Sequence, residues 1–366
     1  MADAARRWWR CLTVSALAAL LGACASAPRQ QPQDVQARIA ALVPARVPDR
    51  AGWAQDIARA FAAQSLDPGD ANLCAVLAVV EQESNYQADP PVPGLARIAR
   101  AEIDRRAAAL HVPGLLVDAA LKLDSPDGRS YAQRLAAVRT EGQLSRIFED
   151  FSAGVPLGRR LLEGFNPVHT GGPMQVSVAF ALEHQRGYPY PVAESIRREV
   201  FSRRGGLYFG VMHLLGYPAD YPQMRYRFAD FNAGHYASRN AAFQAALARA
   251  AGVSLALDGD LLAPGAAMEA PGATEAAVRA LAPKLAMDDA QIRHELRRGD
   301  EADFADSPLY ARVFALAEAR AGQPLPRAIL PGITLESPKI TRQLTTAWFA
   351  ERVDGRYRSC LARAPR

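Results

Sequence analysis

The stretch that decides the fold is GDANLCAVLAVVEQESNY, residues 69–86. Its bulky apolar residues recur at spacings of three and four, the pattern of one buried face of an α-helix: Leu73, Val76, Leu77 and Val80. The Asp-Pro-Gly-Asp string at 67–70 turns the chain and offers an N-cap. We therefore predict a buried helix that ends at Glu83, with this carboxyl on one flank of the apolar stripe. Glu81 lies on the opposite flank, and helical geometry alone does not choose between the two glutamates.

The rest of the chain also has the composition of a helical protein. Ala, Leu, Arg and Glu are frequent, alternating runs of β-branched residues are few, and 49% of the 366 residues are hydrophobic. We predict an all-α fold in which residues 51–251 form the core and about 95–163 form a helical insertion. Gly, Pro and Ala are frequent at 252–274, which indicates a linker or a long loop. A C-terminal helical extension at 275–366 is expected to pack on the core.

The N-terminus has the features of an export signal. Arginines precede an apolar stretch that is too short to span a bilayer of ~30 Å. LGAC at 21–24 matches the site where bacteria attach lipid to a cysteine. We expect removal of residues 1–23, acylation of Cys24, with palmitate as one acyl group, and a tether at 24–50. The alternative is an ordinary signal peptide with an incidental cysteine. Because Ala25 is not Asp, the lipoprotein sorting rule predicts lipid anchoring in the outer membrane. We expect the domain to face the periplasm, and the alternative is a surface-exposed protein that helps envelope traffic.

Charge and cysteine content limit the partners and the redox chemistry. The formal charge is +5, and removal of residues 1–23, with three Arg and one Asp, leaves about +3. This mild excess suits an anionic polymer such as the cell wall, but no basic run is dense enough for nucleic acid. Besides Cys11 and Cys24, the chain has Cys74 and Cys360, which either pair in an oxidising periplasm or stay as free thiols. No CxxC pair or Cys/His cluster is present, so we expect no metal and no cofactor.

Three short blocks of sequence suggest one catalytic groove. The first ends the buried helix at Glu83, where apolar neighbours would raise the pKa of the carboxyl and keep a proton for a glycosidic oxygen. The second is GPMQ at 172–175 and the third is FNAG at 231–234. Each of these turns carries a side-chain amide, Gln175 or Asn232, which can both donate and accept hydrogen bonds. The alternatives are a helix-terminal glutamate in solvent and two ordinary turns.

These blocks resemble, in the same order, those of the lytic transglycosylase domain, a member of the goose-type lysozyme superfamily. ESNYQADP at 83–90 resembles its Glu-Ser-x-aromatic start, and GPMQVS at 172–177 resembles its Gly-Leu-Met-Gln turn. GLYFGVMHLL at 206–215 is similar to the helix before the third block, and FNAG at 231–234 is similar to the Tyr-Asn-Ala-Gly turn. The resemblance covers residues from about 69 to 247 and implies a lysozyme-like core.

The resemblance also implies a mechanism with a single carboxylate. Glu83 would protonate the bond between N-acetylmuramic acid and N-acetylglucosamine in peptidoglycan, and would then act as base while the muramic C6 hydroxyl attacks, giving a 1,6-anhydro product. The residues implied to bind substrate, with Met174 as an apolar wall, are Ser84, Tyr86, Met174, Gln175, Phe231, Asn232, Ala233 and Gly234. The resemblance implies that the side-chain amides of Gln175 and Asn232 contact N-acetyl groups or the acid. The sequence departs from the family at Pro173, where Leu is usual, and at Phe231, where Tyr is usual. The helical insertion replaces a short loop.

Longer strings resemble a narrower family. The lipid-attachment site, PPVPG at 90–94, YRFADFNAGHYASRNAAFQ at 226–244 and SPKITR at 337–342 are similar to the YaiW-like outer-membrane lipoproteins, whose function is unknown. The alternative to an enzyme is therefore a catalytically inactive envelope lipoprotein that binds glycan or a protein. The sequence names no protein partner.

Polar residues around the third block have two possible roles. Asp230 would support direct hydrolysis if it faced Glu83 across a water molecule. Four residues follow the block at helical spacing and either line the groove or belong to an ordinary helix: His235, Tyr236, Arg239 and Asn240.

Overall fold

The computed structural model describes residues 32–154, 165–335 and 344–364. These residues form seventeen α-helices and two minimal antiparallel strand pairs, which confirms the predicted all-α class. The expectations for the signal peptide, for Cys24 and for the string at 337–342 lie outside the described residues. The tether predicted at 24–50 is wrong from residue 32 onward, because Pro32–Leu42 is a helix whose apolar side chains, such as Ile39 and Leu42, are buried in the core.

The elements are short and closely connected. In chain order the helices are α1 Pro32–Leu42, α2 Arg50–Ala63, α3 Asp70–Glu83, α4 Leu95–Ala109, α5 Gly114–Leu121, α6 Tyr131–Ala137, α7 Glu141–Gly154, α8 Val178–Glu183, α9 Ile196–Val200, α10 Arg203–Leu215, α11 Met224–Ala233, α12 Ala237–Ala251, α13 Ala273–Ala280, α14 Ala282–Leu285, α15 Asp289–Leu296, α16 Pro308–Ala321 and α17 Thr346–Leu361. The strands are β1 Thr170–Gly171 with β2 Val176–Ser177, and β3 Thr334–Leu335 with β4 Leu344–Thr345. No helix in the described ranges has both the length and the apolar character needed to cross a bilayer.

Helix α3 lies at the centre of the fold. It ends at Glu83, as the sequence predicts, but every residue from 73 to 80 is buried, so the prediction of one apolar face was too narrow. Small side chains such as Ala75 and Ala78 allow neighbouring helices to approach on the remaining sides. Helix α17 packs along α3, and α10 contacts it as well.

A central apolar cluster surrounds α3. It draws on helices from both ends of the chain and on the turn between β1 and β2, and it includes Ile39, Phe61, Val76, Met174, Phe209, Phe228, Phe231 and Val353. The C-terminal helix α17 is therefore part of this core. Cys74 in α3 and Cys360 in α17 form a disulfide across 286 residues of sequence, the first of the two alternatives that the sequence left open.

Two further apolar clusters flank the central one. The C-terminal cluster joins α12 to the helices after residue 272 and includes Phe243, Val278, Phe304 and Phe314. The insertion cluster belongs mainly to α4, α6 and α7 and includes Leu95, Leu135 and Leu144. The irregular segment after α12 is held by Gln244, which donates to Asp258 and accepts from the amide of Gly259 at 2.8 Å.

Candidate functional site

Glu83 occupies the last helical position of α3. Ser84 follows it as the C-cap, and its amide and hydroxyl both donate to the carbonyl of Val80. Asn85 and Tyr86 then take left-handed φ angles of 49° and 62°, which turn the chain sharply away from the helix. Left-handed backbone is unfavourable for a residue as large as tyrosine, and such conformations concentrate at functional sites. The local backbone thus holds Glu83 at the end of a rigid, buried helix.

The surroundings of Glu83 favour its protonated form. The residue is only partly exposed, and burial raises the pKa of its carboxyl to about 7. In the described part of the chain, its carboxylate has no hydrogen-bond or ion-pair partner to offset this desolvation. Glu81, two positions earlier, is paired with Arg46 at 2.6 Å. The structure therefore separates two glutamates that helical geometry could not, because their environments differ in solvation and in countercharge.

The second block forms the turn of a small hairpin. Thr170 pairs with Ser177 and Gly171 with Val176, so residues 172–175 form the connection. Gly172 has a φ of 75°, and a Cβ atom there would lie 2.1 Å from the carbonyl oxygen of Val200, so only glycine fits. The amide and side-chain nitrogens of Gln175 both donate to the carbonyl of Gly172, at 3.1 and 3.2 Å. The side-chain amide of Gln175 is thus held in place, and its oxygen accepts no hydrogen bond from the residues that the structure describes.

The hairpin turn packs closely on α10. A Cβ atom on Gly206 would lie 2.3 Å from the ring of Pro173, and one on Gly210 would lie 2.5 Å from the sulfur of Met174. These two glycines make a flat surface on α10 that receives the turn. Pro173, a departure from the family pattern, fits this surface. Met174 has no exposed area, so it is a core residue that positions the turn, which corrects its expected role as an apolar wall for substrate.

The third block ends α11. Phe231 is buried in the central cluster, whereas Asn232 is exposed and its Oδ1 accepts a hydrogen bond from Thr346 Oγ1 at 2.9 Å. Ala233 is partly exposed, and Gly234 is exposed with a φ of 109°. The contact with Thr346 fixes the amide of Asn232 and leaves its NH₂ group without a partner among the residues described.

Each of the three blocks contributes a residue to the central cluster. Tyr86, Met174 and Phe231 all belong to the central cluster, so the turns that carry Gln175 and Asn232 are built on the same packing unit as α3. Ser84 and Tyr86 are buried, and the Tyr86 hydroxyl donates to the carbonyl of Leu77 at 3.3 Å. Both side chains are used within the fold, which corrects their expected role as substrate contacts. Five residues of the three blocks are exposed or partly exposed and could contact a substrate: Glu83, Gln175, Asn232, Ala233 and Gly234.

Asp230 is not available as a second acid or base. It is fully buried and accepts hydrogen bonds from the hydroxyls of Tyr217 and Tyr221 and from the amides of Tyr236 and Ser238. Burial raises the pKa of Asp230, and these hydrogen bonds oppose that shift. Asp230 therefore joins α11 to α12, and both of its carboxylate oxygens accept hydrogen bonds from the protein, which argues against the role in direct hydrolysis that the sequence had allowed.

The polar residues of α12 connect two parts of the fold. Arg239 donates to the carbonyls of Gly299, Glu301 and Ala302, and Asn240 donates to Gly299 at 2.9 Å. Both side chains are buried. They anchor the C-terminal cluster. Of the two roles that the sequence left open, these two residues therefore belong to an ordinary helix and do not line a groove.

A group of aromatic rings lies beside the third block and was not predicted from the sequence. The ring of His213 on α10 is stacked 4.6 Å from His235 and lies 4.9 Å from Phe180. Burial, followed by repulsion from His235, lowers the pKa of His213 to about 4, so its ring is neutral at pH 7. Its Nε2 lies 3.2 Å from the carbonyl of Phe231, to which it can donate. Spacing gave no signal because these rings come from three separate elements.

The pKa of Glu83 predicts a pH-dependent penalty on stability. A raised folded-state pKa means that the folded protein binds a proton that the unfolded chain releases, so stability falls as pH rises from about 4.5 to about 7. Each pKa unit corresponds to about 1.4 kcal/mol. We expect Glu83→Gln to increase the free energy of unfolding by at most about 3 kcal/mol at pH 8 and by much less at pH 4.5. Urea unfolding at the two pH values measures this difference.

Glu81→Gln is the matched control for that measurement. It removes a partly exposed pair with Arg46, so it should lower the free energy of unfolding by under about 1 kcal/mol. A Glu83→Gln variant that is no more stable than the wild type at pH 8 would contradict the desolvation of Glu83.

Comparisons with known proteins give a family without a function. The model of a family described as protein of unknown function (DUF1615) matches residues 46–363. A protein of Escherichia coli strain K12 described as uncharacterized protein YaiW is 55% identical over 355 residues, which cover 96% of this chain and 97% of that protein. No solved structure matches the chain.

Proposed function

The chain belongs to the DUF1615 family of proteins of unknown function, and from its site we propose that it binds peptidoglycan and cleaves the glycan strand with Glu83 as the acid. The observation that carries this proposal is the state of Glu83: a desolvated carboxyl without a partner among the described residues, with a pKa of about 7, at the end of a buried helix. A carboxylic acid that keeps its proton near neutral pH is what protonation of a glycosidic oxygen requires.

The proposed reaction uses Glu83 twice. Its carboxyl gives a proton to the oxygen of the leaving N-acetylglucosamine while the bond from the muramic C1 to that oxygen breaks. The resulting carboxylate removes the proton from the muramic C6 hydroxyl, whose oxygen bonds to C1 and closes the 1,6-anhydro ring. The proton balance returns Glu83 to its acid form, and no water molecule is consumed. A second carboxylate is not needed, in keeping with the structural role of Asp230.

Gln175 and Asn232 offer complementary groups for an N-acetyl substituent. The side-chain nitrogen of Gln175 donates a hydrogen bond to the carbonyl of Gly172. Its side-chain oxygen has no partner among the described residues and could accept a hydrogen bond from the N–H of the substituent. Asn232 uses its oxygen for Thr346 and keeps its NH₂ group for the substituent carbonyl. Because both amides are held by protein contacts, little side-chain freedom is lost when substrate binds.

The proposed location follows from the N-terminal sequence. Acylation of Cys24 would hold the domain at the inner face of the outer membrane, with the residues between Cys24 and the start of α1 at Pro32 as the tether to the peptidoglycan layer. Pulse labelling with palmitate, followed by fractionation of wild-type and Cys24→Ala cells, examines this step separately from catalysis.

A binding module without turnover is the second candidate. It is favoured by Phe231, which is buried in the central cluster and supplies no hydroxyl where the resemblance places a tyrosine. In this case the amides of Gln175 and Asn232 would hold a glycan strand that Glu83 does not cleave.

Incubation of the purified protein with sacculi tests both candidates. Sedimentation measures binding, and mass spectrometry of the soluble fraction identifies the products. We expect bound protein and 1,6-anhydro muropeptides. Products with a free reducing end would point to hydrolysis by the same acid, and binding without release would favour the second candidate. If the protein shows no binding to sacculi and releases no product, peptidoglycan is rejected as the ligand.

A further inference from the structure

The helical insertion encloses an apolar cavity that the proposed function does not use. Its volume is about 420 Å³, within the ~300–1,000 Å³ range of ligand sites. The four helices α4–α7 supply its walls, which include Ile103, Leu121, Leu135, Ile147, Phe148 and Phe151. These residues surround the insertion cluster, so the cavity is separate from the packing unit that carries Glu83.

The chemistry of the wall selects an apolar ligand. Polar groups contribute very little of the lining surface, so a sugar or a peptide would lose its hydrogen bonds with water on entry and gain few in return. Apolar cavities in proteins stay dry and take up apolar molecules, and ~150 Å³ is already enough for benzene. The cavity in the insertion is large enough for one long alkyl chain.

The rim of the cavity is unusually apolar for a surface. Leu110, Leu116 and Phe165 line the cavity and are 60%, 58% and 44% exposed. Leu115, the neighbouring residue on α5, is 79% exposed. Single exposed leucines need no explanation, but a contiguous set beside an apolar opening indicates a ligand site.

A positive charge stands at the same rim. Glu102 accepts hydrogen bonds from both Arg105 and Arg106, and these bonds lower the pKa of Glu102 to about 2. One carboxylate therefore offsets two guanidinium groups, which leaves one positive charge in excess. Arg106 also donates Nη1 to the carbonyl of Phe165 at 2.8 Å, so its side chain lies beside the opening. Its Nη2 has no partner in the described part of the chain and can bind an anion.

We propose that the insertion binds a single-chain anionic amphiphile of the long-chain fatty acid class. The alkyl chain fills the cavity between α4, α5, α6 and α7, and the carboxylate lies at Arg106. Apolar burial supplies the affinity, and the guanidinium of Arg106, whose Nη2 has no partner among the described residues, selects an acid over a neutral lipid. The size of the cavity favours one chain over the two chains of a phospholipid.

A matched pair of substitutions on α4 tests the cavity. The full chain carrying Cys24→Ser, which has no acyl group of its own, is titrated with a fluorescent polyene fatty acid, and palmitate is used as the competitor. Ala107 lines the cavity, whereas its neighbour Ala108 is exposed and does not. We expect Ala107→Phe to weaken binding at least tenfold and Ala108→Phe to change it less than twofold. Ala120→Phe, which fills the cavity from α5, should behave like Ala107→Phe.

A second pair tests the head group. The wild type should bind a fatty acid several times more tightly than the fatty alcohol of equal length. Arg106→Gln should remove this preference, whereas Arg105→Gln, with the same change in net charge and no contact with the cavity, should retain it.

Several outcomes would overturn the proposal. These are an absence of saturable binding, equal affinity for the Phe variants at 107, 108 and 120, or binding to phosphatidylglycerol vesicles without binding of the monomeric fatty acid. If the Phe variants at 107 and 120 are too unstable for titration, the melting temperature of the wild type provides the test. Saturating palmitate should raise this temperature, and no rise would count against the site. None of these results depends on cleavage of peptidoglycan, so the two proposals fail separately.

Discussion

Replacing Glu83 by glutamine is expected to abolish the release of 1,6-anhydro muropeptides from sacculi. Glutamine has nearly the same shape but no proton to give, so the loss should be at least the ~10²–10⁴-fold that general acid catalysis contributes. Binding to sacculi should persist, because the amides of Gln175 and Asn232 are untouched and are held by contacts with Gly172 and Thr346. The measurement is the initial rate of product release, followed by mass spectrometry at equal protein concentration.

Glu81→Gln is the control for this experiment. It makes the same chemical change two residues earlier on the same helix, but it affects a carboxylate already paired with Arg46. We expect it to keep most of the activity. Because the acid form of Glu83 is the active one, the wild-type rate should also fall about tenfold per pH unit above the pKa of about 7. Equal activity of Glu83→Gln and wild type would reject Glu83 as the acid.

Removal of the disulfide is expected to have the largest effect on stability. The bond between Cys74 and Cys360 closes a loop with a sequence separation of 286 residues. For a loop of this length the chain-entropy model gives about 5.7 kcal/mol, and measured losses for native disulfides are ~2–5 kcal/mol. We therefore expect the double variant Cys74→Ser/Cys360→Ser to lose several kcal/mol of unfolding free energy, on the order of the measured range. Urea unfolding of both proteins, with and without reductant, measures this loss.

Reductant provides an internal control for the disulfide. It should lower the stability of the wild type toward that of the double variant and leave the double variant unchanged. The effect should also reach the site, because α17 packs on α3 and its first residue, Thr346, holds Asn232. A double variant that unfolds at the same urea concentration as the oxidised wild type would show that packing of α17 alone is sufficient.

Local sequence patterns were sufficient for the helix that carries Glu83. The spacing of Leu73, Val76 and Val80 predicted α3, and the prediction that it ends at Glu83 is confirmed. The same pattern could not show that the helix is buried on every side, because that depends on α10 and α17, which come from distant parts of the sequence. The choice of Glu83 over Glu81 has a similar origin: Arg46, on the connection between α1 and α2, neutralises Glu81.

The sequence predicted the wrong role for several residues that are buried in the structure. Met174 and Tyr86 belong to the motif blocks, yet both are interior residues that shape the site. Asp230 and Arg239 are polar, but their hydrogen bonds are made across the fold, to α12 and to the segment around Gly299. A short motif carries no information about such long-range partners. The cavity of the insertion could not be predicted either, because the sequence pattern of an amphipathic helix is the same whether its apolar face packs against another helix or borders a cavity.

Glu83 is expected to be a desolvated acid that still holds its proton near neutral pH. Carbon-13 NMR of the glutamate side-chain carboxyls, with the Glu83 resonance assigned by its absence in Glu83→Gln, follows this group directly as pH is raised. The account predicts a midpoint near 7, well above the ordinary value for glutamate. A midpoint near 4.5 would mean that Glu83 is ionised at neutral pH, and it would contradict the assignment of this residue as the acid.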